Sequence, residues 1–247
     1  MIDEALDLFL GSSCVGCSRP GRMLCTRCRG DLPSQARTCW PTPTPGGLVT
    51  PWATAAYDGA VRELVVGHKD RGQWSHRRLL GGLLATAVSA AVRGVDPEVP
   101  LLLVPAPSRR GAGRQRGYEP TLAIAAAAVR VLRADRPAAV ADLLLSRGPV
   151  EDQTGLDAGQ RGDNVRGSMH CPSPALLRVR RRWPVAHLVV CDDVVTTGAT
   201  AREAQRALEV VGLAPLAIAA VAATRRRSGP GSGGGTPGWT PSLASGR

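Results

Sequence analysis

The chain has 247 residues, of which 31 are Lys or Arg and 20 are Asp or Glu, and its formal net charge is +11. This length allows one main domain with a small module, and 43% apolar with 21% charged residues indicates a folded chain. Aromatic residues make up only 3%, so Ala, Val and Leu must form most of the core. The composition excludes acidic-tail, collagen-like and prion-like proteins, and the positive charge favours anionic partners such as nucleic acid or polyphosphate metabolites.

Membrane insertion and secretion are not expected from this sequence. The longest apolar stretch, Leu79 to Val92, has 14 residues, fewer than the ~18–20 that a membrane-spanning helix needs. The N-terminal segment is acidic where a signal peptide would be basic. We therefore expect a cytoplasmic protein, whose seven cysteines are metal ligands or buried thiols rather than disulfides.

Four cysteines near the N-terminus have the spacing of a metal site. They form two Cys-x-x-Cys pairs separated by seven residues, Cys14 with Cys17 and Cys25 with Cys28. Each pair turns the chain tightly enough to direct two thiolates at one ion, and four thiolates complete the tetrahedral shell of a structural Zn²⁺. Chance cysteines or a redox pair are the alternative, which two pairs within 15 residues disfavour. We expect a zinc-binding module over residues 1–32.

A proline-rich segment follows, and beyond it a regular pattern of helices and strands. Proline at alternate positions after Trp40 favours an extended linker over residues 33–52. The main domain is expected at 53–225, and a disordered tail rich in Gly, Ser and Pro at 226–247. Apolar periodicity predicts helices at 60–68, 73–93, 121–134 and 199–211, and strands at 101–104, 142–145, 187–191 and 216–223. This alternation is typical of an α/β fold with a parallel sheet covered on both faces.

The segment 188–200, LVVCDDVVTTGAT, carries the strongest chemical signal. Four apolar residues predict a strand, Asp192 and Asp193 stand at its carboxyl end, and a loop containing Thr and Gly leads into a helix. Ligands of open α/β sheets bind at this end of the strands, and backbone N–H groups at a helix N-terminus favour a phosphate. No lysine follows Gly198, which excludes a Walker-type triphosphate loop. The carboxylates would repel that phosphate and suit sugar hydroxyls or a divalent cation, so the segment indicates a ribose 5-phosphate unit.

These thirteen residues resemble the phosphoribosyl pyrophosphate (PRPP) binding motif of type I phosphoribosyltransferases. The whole chain resembles the ComF family, which joins a zinc module to a phosphoribosyltransferase-like domain. The supporting stretches follow the family's order over residues 14–224: YDGAVREL at 57–64, KDRG at 69–72, VPAP at 104–107, RGY at 116–118, QTGL at 153–156 and RGDNVRG at 161–167. The resemblance implies a parallel-sheet core of the type I phosphoribosyltransferase kind, PRPP as ligand with Mg²⁺, and phosphoribosyl transfer with release of pyrophosphate.

The resemblance also implies roles for individual residues. Asp192 and Asp193 would contact the ribose hydroxyls, directly or through Mg²⁺, as the catalytic pair. The 5-phosphate would lie against Thr196, Thr197, Gly198, Ala199 and Thr200. The pyrophosphate would lie near Ala106, Arg109, Arg110, Arg116 and Lys69. Arg114 and Arg116 would lie on a mobile flap over it. Lys69 is the sole lysine among 31 basic residues, which indicates a need for a compact charge, although a chance remnant explains it equally well.

The sequence departs from the family in two places. Glu119 and Pro120 stand where relatives commonly carry Asn and Gln, so the acceptor-binding role of those positions is not carried over. Relatives often have a second cysteine pair, of which Cys39 alone remains, so we expect one metal site. Cys39 and Cys171 are expected to be plain thiols and Cys191 a core residue. The four histidines lack the spacing of metal ligands or of a nucleophile's base, and none is expected to be catalytic.

Two classes of function remain open. The first is a phosphoribosyltransferase linked to nucleotide metabolism or DNA uptake. The alternative is a single-stranded DNA-binding competence protein, or a PRPP-sensing regulator, that uses the same fold without catalysis. The net charge, the zinc module and the ComF family's association with competence imply single-stranded DNA and competence helicase or recombination proteins as partners. The basic runs at Arg178–Arg182, expected to be a solvated loop, and Arg225–Arg227 are the candidate DNA contacts.

Overall fold

The computed structural model describes residues 13–108, 118–147 and 167–224. The helices are α1 (Thr26–Gly30), α2 (Gly59–Asp70), α3 (Arg77–Ala91), α4 (Pro120–Leu132), α5 (Ser173–Arg182) and α6 (Ala199–Glu209), and a 3₁₀ turn spans Trp74–His76. The strands are β1 (Arg37–Thr38), β2 (Pro51–Ala56), β3 (Leu101–Pro105), β4 (Ala138–Val140), β5 (Leu145–Ser146), β6 (Met169–His170), β7 (His187–Val195) and β8 (Ala217–Ala223).

Six of the strands form one mixed, mostly parallel sheet in the order β1-β2-β8-β7-β3-β4. Strand β1 is antiparallel to β2, and the other neighbours are parallel, while β5 and β6 pair separately. The chain passes from β3 to the edge strand β4 and returns to β7 on the other side of β3. The strand order therefore reverses between β3 and β7, which is where open α/β sheets bind ligands. The expected α/β class with a mainly parallel sheet is confirmed.

Helices cover both faces of this sheet. Along β3, Leu101 and Leu103 pack into the apolar cluster beneath α2, α3 and α4, whereas Leu102 and Val104 pack into the cluster beneath α5 and α6. The alternation arises because successive strand residues point to opposite faces. A Cβ added at Gly81 of α3 would lie 2.5 Å from the Cβ of Ala127 in α4, so these helices approach too closely for larger side chains. Close packing of small residues is how a chain with 3% aromatics closes its core.

The N-terminal cysteine segment packs against the first of these faces. Cys14 and Leu24 are buried in the same apolar cluster as Leu64 of α2. The predicted linker, residues 33–52, supplies β1 and the first two residues of β2. Among the described residues, no helix combines the length and the apolar character needed to cross a membrane.

Several elements differ from the sequence prediction. The strand predicted at 142–145 is wrong: the edge strand is Ala138–Val140, and only Leu145–Ser146 pairs further on, with β6. The helix predicted from residue 73 begins as a 3₁₀ turn, because the His76 ring nitrogen Nδ1 is hydrogen-bonded to the Leu64 carbonyl oxygen (2.9 Å) and holds the turn against α2. Arg178–Arg182 is helical rather than a loop, since it ends α5.

Candidate functional site

The four N-terminal cysteines form a cluster of the size that a zinc ion requires. The Sγ atoms of Cys14, Cys17, Cys25 and Cys28 all lie within 4.8 Å of one another. The sulfurs of Cys17 and Cys25 are 3.7 Å apart, close to the ~3.8 Å between sulfurs of a tetrahedral site with Zn–S bonds of ~2.3 Å. Helix α1 positions the second pair, with Cys25 at its N-cap and Cys28 inside it. The structure thus brings together the four cysteines predicted to bind metal.

Backbone groups favour the thiolate form of Cys14 and Cys25, whereas the neighbouring Cys25 thiol and burial raise the pKa of Cys28. Burial raises the pKa of Cys14, but the N–H groups of Cys25, Gly16 and Cys17 point at its sulfur and lower the pKa to about 6. The Cys25 nitrogen lies 3.4 Å from that sulfur. A Cβ at Gly16 would lie 2.9 Å from Cys28 Sγ, so the first turn is a tight cradle. Four thiol ligands with no position left for water fit a structural metal.

The second candidate site lies at the carboxyl ends of β3 and β7. Strand β3 ends at Pro105, which pairs with Cys191, whereas β7 continues beside β8 as far as Val195. Asp192 and Asp193 therefore lie beyond the end of β3 but still within β7, and they are 9% and 5% exposed. This strand is longer than the predicted 187–191, so the carboxylates are held by the sheet rather than by a loop.

Lys69 brings a positive charge to this pair. Its Nζ lies 2.5 Å from Oδ2 of Asp193, across 124 positions of sequence. Burial lowers the pKa of Lys69, but the Asp193 carboxylate outweighs it and holds that pKa above its usual value. Burial, and then the charge of Asp193, raise the pKa of Asp192 well above the usual range. Lys69 thus compensates the charge of Asp193, whereas Asp192 favours binding a proton, or a ligand that takes the place of that proton.

The loop between β7 and α6 ends in a left-handed glycine at the start of a helix. Thr196 and Thr197 are exposed, and Thr197 Oγ1 lies 3.4 Å from the Ala199 nitrogen, which donates to it. Gly198 precedes α6 with φ +74°, a conformation that favours glycine. The first turn of a helix presents N–H groups without partners inside the helix. The residues predicted to contact the 5-phosphate, which also include Thr200, therefore form one continuous turn.

A proline-containing segment, residues 41–49 (the strap), lies against this turn. A Cβ at Gly198 would lie 2.9 Å from Cγ of Pro41, so the strap leaves room only for glycine there. Gln205 of α6 is 2% exposed, and its amide bonds two backbone groups of the strap, as donor at 2.8 Å and as acceptor at 3.0 Å. The sequence predicts no role for Gln205, since its partners lie more than 150 positions away.

The remaining predicted pyrophosphate contacts are partly described. Ala106 follows β3, and its N–H donates to the Cys191 carbonyl oxygen (2.8 Å), so this donor already serves the sheet. Other predicted segments lie outside the described residues: Arg109, Arg110, Arg114, Arg116, QTGL at 153–156, most of RGDNVRG at 161–167, and Arg225–Arg227.

Tyr118 contacts a histidine to which the sequence assigns no role. His68 is 1% exposed, and its Nε2 lies 2.9 Å from Tyr118 Oη. Burial lowers the pKa of His68, so the ring is neutral at neutral pH. The histidine precedes Lys69 on α2, which brings Tyr118 to the neighbourhood of the carboxylate pair. No spacing pattern predicts this contact, because 50 positions separate the two residues.

The chain matches no protein-family model and no curated protein. The cysteine cluster has the composition of a structural metal site. The carboxyl end of β7 combines two buried carboxylates, one lysine and a glycine-headed helix, which suits a ligand carrying both hydroxyl groups and phosphate.

Proposed function

We propose that the chain is a ComF-like protein with a type I phosphoribosyltransferase-like core, which binds PRPP and transfers its phosphoribosyl group with release of pyrophosphate. One observation carries the proposal: Lys69 pairs with Asp193 beside the Gly198 turn, at the edge where the strand order reverses. A cation, two carboxylates and a helix N-terminus are the groups that a sugar bearing phosphate at one end and pyrophosphate at the other requires.

The charges of the site assign each part of PRPP to a different group. The 5-phosphate fits the turn at residues 196–200, where threonine hydroxyls and helix N–H groups offer donors. The ribose hydroxyls fit Asp192 and Asp193, because carboxylates accept hydrogen bonds from hydroxyls and repel phosphate. The side chain of Lys69 is 42% exposed, so its ammonium group can exchange Asp193 for an oxygen of the pyrophosphate.

The carboxylate pair also fits Mg²⁺, which binds through one or two carboxylates, substrate phosphate oxygens and water. The raised pKa of Asp192 marks a carboxyl group whose negative charge burial disfavours and the chain's own groups do not fully compensate. Asp192 and Asp193 are the residues that would hold the ion. When bound with PRPP, Mg²⁺ would supply neutralisation of the pyrophosphate charge.

Transfer requires positive charge to develop on the ribose and negative charge to develop on the departing pyrophosphate. The carboxylates of Asp192 and Asp193 would stabilise the first, and Lys69 the second. The strap would keep the 5-phosphate turn in place while the bond to pyrophosphate breaks, because it is held at two points. Pro41 of the strap contacts Gly198, and Gln205 of α6 is hydrogen-bonded to the strap backbone. Asp192, Asp193 and Lys69 would thus act through the fixed positions of their charges.

The test is a calorimetric titration of the zinc-loaded protein with PRPP and Mg²⁺, followed by a pyrophosphate-release assay with amines, bases and oligonucleotides as acceptors. We expect binding that Asp192→Asn and Asp193→Asn each weaken about tenfold or more, since each removes a charged hydrogen-bond acceptor. Asp135→Asn is the matched control, because Asp135 is exposed between α4 and β4, at the amino ends of the strands. Absence of PRPP binding would refute the proposal, and binding without turnover on any acceptor would leave the sensing regulator.

Single-stranded DNA binding is the second candidate function, and α5 favours it. Arg178, Arg180, Arg181 and Arg182 all lie exposed on this ten-residue helix. Arg182 lies over the Trp183 ring, with its guanidinium carbon 5.6 Å from the centroid. Arg180 donates to the Val211 carbonyl oxygen (2.8 Å), which leaves Arg178, Arg181 and Arg182 for a ligand. Exposed arginines beside an aromatic ring are groups that single strands bind through phosphate and stacking contacts.

This second candidate is tested by the salt dependence of oligonucleotide affinity. We expect the affinity to fall steeply with salt, and Arg181→Ala with Arg182→Ala to weaken it and reduce the slope by about one or two, since each lost phosphate contact removes roughly 0.7 from a single-strand slope. Arg133→Ala, an exposed arginine at the end of α4, is the matched control. Affinity that is indifferent to salt would contradict the DNA proposal. Helicase or recombination partners would be sought only if DNA binds.

A further inference from the structure

Helix α2 connects the cysteine cluster to the carboxylate pair. At its start, a Cβ added at Gly16, in the first turn of the cluster, would lie 3.3 Å from the Cβ of Ala60. Near its end, Lys69 is bonded to Asp193 at 2.5 Å. About 14 Å of continuous helix lies between Ala60 and Lys69. Because a helix moves as a rigid element, a displacement of its start reaches the cation of the carboxylate pair.

The cysteine segment, residues 13–32, also contacts the far end of α2 through the 3₁₀ turn. Ser75 Oγ of this turn donates to Met23 Sδ (3.3 Å). The residue before the turn, Gln73, donates its N–H to the Gly67 carbonyl oxygen near the end of α2 (3.0 Å). The cysteine segment therefore touches both the start of the helix that carries Lys69 and the turn that supports the end of this helix.

Few apolar side chains hold the cysteine segment in this position. Within residues 13–32, Cys14 and Leu24 alone are buried, and both pack into the apolar cluster beneath α2. The only helix of the segment, α1, has five residues. A segment of this size cannot form a core of its own, so its order depends on the ion that its thiolates would bind.

Two sulfurs of the cluster lie where an oxidant can join them. Cys17 is exposed, and its Sγ is 3.7 Å from that of Cys25, so the two sulfurs need to approach by only about 1.7 Å to form a disulfide. Hydrogen peroxide is a sufficient oxidant. The two thiols lose two electrons and two protons as the sulfur–sulfur bond forms, the O–O bond of the peroxide breaks, and two water molecules leave. Two thiols then remain, which are too few for a structural metal.

We infer that the cysteine cluster is a redox-sensitive switch for the carboxylate pair: oxidation of Cys17 and Cys25 by a peroxide releases the metal, loosens the cysteine segment from α2, and frees Lys69 from its place beside Asp193. The inference rests on the proposed function and names a regulation of its site. PRPP affinity falls, because the cation that meets the pyrophosphate is no longer held in position. Coupling between two sites is reciprocal, so PRPP must in turn tighten the binding of zinc.

Lys69 itself reports on the state of the switch, because it is the sole lysine of the chain. Acylation of this amine in the zinc-loaded full chain is followed by mass spectrometry of the peptide that contains it, and it should be faster after treatment with hydrogen peroxide. PRPP affinity, measured by calorimetry with Mg²⁺, should fall about fivefold or more, as is usual for coupled sites. Dithiothreitol with added zinc should restore both values. Chelator competition with and without PRPP measures the reciprocal effect on zinc affinity.

Two cysteine variants separate the cluster from the other thiols. Cys17→Ser lacks one ligand and cannot form the disulfide with Cys25, so its Lys69 should be acylated rapidly before any peroxide is added, with little change afterwards. Cys39→Ser, which alters a half-buried thiol outside the cluster, should respond to peroxide as the unaltered protein does. An equal response of Cys17→Ser and the unaltered protein would place the sensitive group elsewhere and overturn the inference.

Hydrogen exchange decides whether the effect is confined to α2. Residues 64–70 should lose protection after oxidation, while β3 and β7 keep theirs. General loss of protection would mean that the metal only stabilises the whole fold, and it would overturn the inference, as would zinc release that leaves the acylation rate of Lys69 unchanged. If PRPP does not bind the zinc-loaded protein, the proposed function fails, whereas faster acylation of Lys69 after oxidation still supports the connection through α2.

Discussion

The cysteine cluster and the Asp192–Asp193 pair both gather acidic groups at close range, but over very different stretches of sequence. The four thiols fall within 15 residues, and one helix N-terminus with its adjoining turns positions them. The two carboxylates acquire their cation from Lys69, 124 positions earlier. The first site is therefore determined by local spacing, and the second exists only when the sheet and α2 have come together.

The two sites also differ in how they relate to stability. A structural metal contributes its binding free energy to folding, because the unfolded chain cannot form the site. The buried carboxyl group of Asp192 instead costs free energy in the absence of ligand, since burial disfavours its charge. A metal bound by the cysteine cluster would thus stabilise its module, whereas the strand end keeps one carboxyl group, Asp192, that is destabilising without a ligand.

The largest expected effect comes from removing the metal. Cys25→Ser should lose the bound zinc, because three thiolates and a hydroxyl no longer close the shell, and zinc sites of this kind contribute about 10–16 kcal/mol to small modules. We expect one zinc per chain in the unaltered protein by elemental analysis and none in the variant. Hydrogen exchange should then show residues 13–32 unprotected.

The matched control is Cys39→Ser, a half-buried thiol outside the cluster, which should keep its zinc. In Cys25→Ser, hydrogen-exchange protection of α2 should fall as well, because Cys14 and Leu24 pack into the cluster beneath α2. Strands β3 and β7 should remain protected. Full protection of residues 13–32 after chelation would show that the cysteines hold the module without metal.

A smaller effect is expected where the strap meets the 5-phosphate turn. Gly198→Ala places a side chain at φ +74° and within 2.9 Å of Pro41 Cγ, so the turn or the strap must move. We expect a loss of about 1–3 kcal/mol in the free energy of unfolding and weaker PRPP binding. Denaturant unfolding and calorimetry measure the two quantities.

Gly82→Ala is the matched glycine control, because no atom beyond its chain neighbours and its own helix backbone lies within 4 Å of a Cβ there. Gly82 is inside α3, where alanine favours the helix, so this change should stabilise the protein by about 0.5–1 kcal/mol. Equal effects of the two substitutions would show that the strap does not constrain the turn.

The contrast between local and long-range contacts also explains what the sequence could predict. The cysteine quartet and the strand–turn–helix of 188–200 are readable because their parts are contiguous. The contacts of Gln205 with the strap and of Tyr118 with His68 join residues at least 50 positions apart, and no periodicity encodes them. Strand β2 was not predicted, because its alanines match helix and strand equally well, and its place between β1 and β8 decides the outcome.

The smallest effect distinguishes the two adjacent carboxylates from each other. The pKa of Asp192 is raised in the folded protein, so the folded state keeps its proton at pH values where the unfolded chain, with a pKa near 3.9, has released it. The contribution of Asp192 to folding stability then falls as the pH rises above about 4. Asp192→Asn stays neutral at every pH, so it should be more stable than the unaltered protein at pH 7 and equally stable near pH 3.

Asp193→Asn should have the opposite sign at pH 7, because it removes the partner of Lys69. The loss should be about 1 kcal/mol, since the lysine side chain is 42% exposed and solvent screens such pairs. Thermal unfolding of both variants between pH 3 and pH 8, without PRPP or divalent ions, measures the difference. Destabilisation by both substitutions at pH 7 would mean that Asp192 is ionised and compensated within the chain, and the strand end would then resemble the cysteine cluster in stabilising the fold rather than awaiting a ligand.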